Sequence, residues 1–72
     1  MLTPDEVLEI ARRIKELRVQ KGMFQSDVAK KAGIAVNHYA RLERGEVPDP
    51  KISTIRNIIK ALGGDYNKIL NF

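Results

Sequence analysis

The side chains best able to act on another molecule lie in the middle of this chain. Lys21, Lys30, Lys31, Arg41, Arg44 and Lys51 spread positive charge from 21 to 51, with Asn37 and His38 among them, whereas Asp5, Glu6, Glu9 and Glu16 put four of the nine acids in the first sixteen residues. Thirteen lysines and arginines against nine acids leave a net charge of +4, an excess that suits a polyanion. Catalysis fits this composition poorly. His38 is the single histidine, cysteine is absent, and no serine stands near His38 in sequence to serve as a nucleophile. The same shortage leaves no ligand set of metal-binding spacing, so neither metal nor cofactor is expected. A chain of 72 residues holds one modest core, without the deep pocket of an ordinary enzyme. With no cysteine and no apolar run long enough to cross a bilayer, a cytoplasmic protein with no membrane partner is expected.

The elements that must position these groups read as helices. In "TPDEVLEIARRIKELRVQKG", Thr3 is an N-cap, Pro4 suits the first helical position, and Glu6 completes a capping box. Val7, Ile10, Ala11, Ile14 and Leu17 then recur every three or four residues as one apolar stripe, with Glu9, Arg12, Arg13 and Glu16 on the other face, and Gly22 ends the helix. A short second helix is expected from Gln25 to Lys31, facing Val28, Ala29 and Ala32 inward, with Asp27 in the first turn where the helix dipole favours an anion. Gly33 breaks it, Ile34 plugs the core beside the turn, and a third helix from about Val36 to Arg44 buries Tyr39 and Leu42 before Gly45.

"EVPDP" reads as a loop, since two closely spaced prolines do not sit inside a helix. Asp49 and Pro50 are expected to cap and open a fourth helix with Ile52, Ile55, Ile58, Ile59 and Leu62 as its buried stripe, ended by Gly63 and Gly64. Asp65 then caps a last short helix carrying Tyr66, Ile69 and Leu70. No segment alternates like a strand, so the fold class is all-α: five helices in one domain over residues 1–72. The second and third helices are each too short to persist alone. A glycine at 33 lets the chain turn sharply, so that the third helix crosses the second and protrudes, in a shape the major groove of B-form DNA can admit.

Counted from Gln25, the series Val28, Ala29, Ala32, Gly33, Ile34, Tyr39 and Leu42, closed by "LERG" at 42–45, resembles the helix-turn-helix of the phage repressor and Cro family, the Xre-type regulators. The resemblance runs from "RIKELRVQKGMFQ" through "RNIIKALG". It implies a five-helix, lambda-repressor-like DNA-binding domain with its helix-turn-helix at about 25–44. It further implies a transcriptional regulator, with repression as the expected action, binding an operator in double-stranded DNA as a homodimer. By that resemblance Gln25 contacts phosphate, Val36, Asn37 and Arg41 read bases beside His38, and Arg18 pairs with Glu43. The side-chain chemistry is compatible: Asn37 can bond adenine, Arg41 can reach guanine O6 and N7, and Val36 can meet a thymine methyl. Lys30, Lys31, Arg44, Lys51 and His38 are candidates for the phosphate backbone.

Three positions depart from the family pattern. Phe24 and Ala35 stand where Ser or Thr commonly precedes a helix, and each missing side-chain cap costs about 1 kcal/mol. Tyr39 replaces the usual Ile or Val, so its hydroxyl needs room or an exit. Phe24 is expected in the core. Val36 reads either as a methyl contact on DNA or as an apolar contact on a protein. Ile69, Leu70 and Phe72 are either ordinary packing on the first helix or a dimer seam. The same departures motivate an alternative of another class, a helical protein-interaction module that keeps the fold without reading DNA.

Overall fold

The computed structural model describes residues 2–71. In it Thr3 Oγ1 accepts the Glu6 N–H at 3.1 Å while Glu6 Oε1 accepts the Thr3 N–H at 2.8 Å, so the capping box is complete and α1 runs Pro4–Gln20. It is followed by α2 Gln25–Ala32, α3 Val36–Glu43, α4 Ile52–Ala61 and the single turn α5 Tyr66–Ile69. α2 packs on α3 and α4, α1 packs on α3 and α5, and α5 returns onto α4.

Each helix contributes to one core. Ile10 and Ile14 come from α1, Val28, Ala29 and Ala32 from α2, and Tyr39 and Leu42 from α3. Ile55, Ile58 and Ile59 of α4 are buried with Leu62 just beyond it, and Ile69 enters from α5. Fully burying an isoleucine is worth about 2 kcal/mol, so the Ile55–Ile58–Ile59 stripe outweighs the modest helix propensity of β-branched residues. Short α2 and α3 are helical because this core holds their inner faces.

The break between them is a glycine turn with a specific hydrogen-bond pattern. Gly33 sits at φ 74° and ψ 31°, its N–H bonding Lys30 O at 3.2 Å and the Ile34 N–H bonding Ala29 O at 3.0 Å. These paired bonds satisfy the last carbonyls of α2 and direct the chain at once into α3. Gly64 does different work. A Cβ there would lie 2.6 Å from Leu17 Cδ2 and 3.1 Å from Ile69 Cδ1, so its missing side chain lets α1 and α5 close over the end of α4.

Several expectations change. Phe24 is 74% exposed rather than in the core. Its backbone is extended, so adjacent side chains point opposite ways, and Met23 takes the inward place. α4 opens two residues later than Asp49–Pro50 implied, with Lys51 as N-cap at φ −69° and ψ 134°. Asp49 precedes a proline and so avoids helical torsions, and Pro50 is buried in the connection instead of starting a helix. Ile52, at the helix start, lies beyond the core and is 41% exposed beside Leu2, Glu6 and Pro50.

At the C-terminal end the packing reading holds for Ile69, which is buried in the chain's own core, and Leu70 is half-buried against it; Phe72 lies outside the described residues. Arg13, read as a solvent-face residue, fastens this end: its Nη1 donates to the carbonyl of Ile69 at 2.7 Å and to that of Asn71 at 3.3 Å, while its Nε bonds Glu9 at 2.8 Å. No helix among the described residues is long and apolar enough to cross a membrane.

Candidate nucleic-acid interface

α3 has two faces with different tasks. Tyr39, Leu42 and Glu43, spaced three and four residues apart, point inward and are buried. Val36, Asn37, His38, Arg41 and Arg44 are exposed, with Asn37 and Arg41 one turn apart on the same side. Arg41 makes no hydrogen bond or salt bridge among the described residues, so its guanidinium donors are open, although its charge helps Arg44 hold the Glu46 carboxyl below the ordinary glutamate value. Arg44 is engaged by Glu46, through its Nε at 2.9 Å and its Nη2 at 3.0 Å. Both side chains are more than half exposed, and an ion pair in water is weak enough to be exchanged for a phosphate.

Beneath this surface lies a polar joint between three helices. Glu43 has a side chain only 2% exposed, and Arg18 of α1 forks onto it, Nε to Oε2 at 2.7 Å and Nη2 to Oε1 at 2.9 Å. Arg18 Nη1 also donates to Met23 O at 2.9 Å, tying the α1–α2 connection into the joint. Gln25, the first residue of α2, donates from Nε2 to Glu43 Oε1 at 3.1 Å. Burial pushes the Glu43 carboxyl up, but the Arg18 guanidinium, the nearby Tyr39 hydroxyl and the Gln25 amide outweigh it and hold the group below the ordinary glutamate value. The Tyr39 hydroxyl is itself buried beside the carboxylate without completing a hydrogen bond. Burial, with Glu43 acting in the same direction, pushes the phenol well above its usual range.

The remaining candidates fall in separate places. His38 and Lys51 share a shallow depression with Asp49 and Thr54, where α3 meets the start of α4. Lys30 and Lys31 line a different depression, with Gly22, Met23 and Asp27. Lys31 also borders a third, beside Asn57 and Lys60 of α4. The structure therefore groups His38 with Lys51 and Gln25 with Glu43, and sets the Lys30–Lys31 pair apart.

A sequence model of the family described as helix-turn-helix matches residues 14–69. The chain belongs to the helix-turn-helix family. It is 32% identical over 62 residues to the HTH-type transcriptional regulator SinR of Bacillus licheniformis, across 86% of this chain and 56% of that protein. It is 31% identical over 62 residues to SinR of Bacillus subtilis, with the same two shares, and 33% identical over 57 residues to HigA2 of Mycobacterium tuberculosis, across 79% of this chain and 56% of that protein. The chain thus spans about half the length of the curated relatives it matches. No solved structure gives a significant match.

In this helix-turn-helix protein, Asp27, placed in the first turn of α2 by the sequence for the helix dipole, has a second role that sequence reasoning did not assign. Its Oδ2 accepts the Phe24 N–H at 2.9 Å, so a carboxylate already occupies a backbone donor at the start of α2. The spacing of Phe24 and Asp27 matches the returning half of a capping box and was a legible signal. The Gln25–Glu43 bond had no such signal, since it joins residues of different helices.

Proposed function

We propose that this chain is a sequence-specific, double-stranded-DNA-binding transcriptional regulator that reads the major groove with α3. The observation that carries the reading is the division of α3: its inner face is locked by Tyr39 and Leu42 while Val36, Asn37 and Arg41 stand exposed on the outside. A rigid helix presenting a methyl-bearing side chain, a carboxamide and a guanidinium with open donors matches what base edges recognise. Val36 contacts a thymine methyl, Asn37 pairs with adenine and Arg41 with guanine. Gln25, His38, Arg44 and Lys51 take phosphates, with Lys30 and Lys31 as more distant contributors of charge. Residues 1–72 act as one such domain in the cytoplasm, repressing by occupancy without catalysis. A homodimer places two copies of α3 on half-sites about one DNA turn apart. The relatives named as transcriptional regulators support the same reading.

One observation favours the alternative, a protein-interaction module. Phe24 and Val36, both at helix starts, are large apolar residues in water, at 74% and 43% exposure. Selection from a random duplex pool at two salt concentrations, with Arg41→Ala alongside, separates the two. An enriched two-fold symmetric motif that Arg41→Ala weakens by about 1–3 kcal/mol supports the regulator. Salt-sensitive retention with no motif overturns it in favour of the interaction module.

A further inference from the structure

The Gln25 carboxamide is held by a buried carboxylate, and this has a consequence for what it can present. Glu43 is ionised and can only accept hydrogen bonds, so it selects the nitrogen end of the Gln25 amide over the oxygen end. Glu43 cannot readily turn away, because Arg18 grips both of its oxygens and is itself anchored on Met23 O. One Gln25 N–H is therefore fixed on Glu43, and its second N–H projects from the same nitrogen in a plane the amide cannot leave. Gln25 is half-buried at the N-terminus of α2, so that second donor is the one available to solvent or to an anion.

We propose that Glu43 is a positioning residue for Gln25: through the Arg18–Glu43–Gln25 chain of hydrogen bonds it orients the free carboxamide N–H toward a phosphate of duplex DNA. Glu43 itself touches no DNA. The inference rests on the DNA-binding reading, but it needs only a phosphate and not an operator sequence.

The test is a double-mutant cycle of Gln25→Ala, Glu43→Gln and both together, measured by binding of a mixed-sequence duplex at low salt. Gln25→Ala in the otherwise unchanged protein is expected to weaken binding about tenfold, the scale of a hydrogen bond to a charged group. In the Glu43→Gln background the same change is expected to cost less than about twofold. Equal losses in both backgrounds overturn the proposal. Because Glu43→Gln also breaks the buried pair with Arg18, the unaltered protein supplies a second readout in the NMR signals of the Gln25 side-chain amide. Two distinct, exchange-protected Nε2 hydrogens, of which duplex shifts one, support the orientation, whereas two rapidly exchanging signals that duplex leaves unchanged overturn it. Failure to select any sequence motif removes the regulator reading alone, since this cycle uses a duplex with no chosen sequence.

Discussion

Phe24 and Asp27 form half of a capping box: Asp27 Oδ2 takes the Phe24 N–H at 2.9 Å, and Phe24 has no oxygen with which to accept a helix donor in return. Because the ring is 74% exposed, removing it forfeits little burial. Phe24→Ser is expected to complete the box and add about 1 kcal/mol. In a domain of this size that raises Tm by roughly 4–8 °C, measurable by scanning calorimetry. A fall in Tm would show that the ring contributes packing that its exposure conceals.

The Tyr39 hydroxyl is buried without a partner, while its ring fills the centre of the core. Tyr39→Phe keeps the ring and removes a hydroxyl that sits beside Glu43 and helps hold that carboxylate charged, but completes no hydrogen bond. The cost of an unsatisfied buried polar group is expected to outweigh that help, for a net gain of about 1 kcal/mol or less in urea unfolding. A loss of similar size would mean that the hydroxyl has a partner in solution.

Arg18 and Glu43 should be far more sensitive. Removing Arg18 leaves a carboxylate at 2% side-chain exposure without its main counter-charge, and a buried pair broken on one side costs about 3–5 kcal/mol. Arg18→Ala is therefore expected to leave the chain marginally folded, whereas Arg12→Ala, at a solvent-screened pairing with Glu9 and Glu16, should leave the melting midpoint nearly unchanged. Circular dichroism melts of the two variants make the comparison. Equal effects would remove the buried pair from its structural role.

The same carboxylate sets a pH dependence. Glu43 has its folded pKa below the unfolded value, so its stabilisation is present above the ordinary glutamate range and is lost as pH falls through the folded pKa. Glu9, drawn down to about 2 by Arg12 and Arg13, acts with the same sign, although its exposure makes the effect small. Urea midpoints taken from neutral pH to about pH 3 are expected to fall steadily in the unaltered protein. In Glu43→Gln they should start lower and fall less steeply. Parallel curves would assign the acid sensitivity to other groups.

Much of the scaffold was legible because its signals are local. Thr3 and Glu6 are three residues apart, Gly33 sits where the α2 carbonyls need a left-handed turn, and Ile55, Ile58 and Ile59 share one helical face. The misreadings share an opposite cause. Whether Met23 or Phe24 turns inward, whether Pro50 starts a helix or is buried before one, and whether Ile52 reaches the core depend on where other helices lie. Arg13 read only as one residue of the polar face of α1 until α5 brought its carbonyls to Nη1. The exposed candidates on α3 followed from helical period once Tyr39 and Leu42 were set inward. How Gln25 is held did not, since the carboxylate that holds it is eighteen residues away.

Gly64 closes the end of α4 by the absence of a side chain, and that makes position 64 a thermometer for the whole α1–α5 seam. Even a methyl group there must displace Leu17 or Ile69, and the displacement would reach the Arg13 clamp on the last carbonyls. At Gly33, by contrast, a Cβ meets nothing within 4 Å, and only the torsion is demanding. In a randomised library screened cold and then warm, asparagine at 33 should survive both rounds. Alanine at 64 should be the conditional allele, present in the cold round and gone from the warm one.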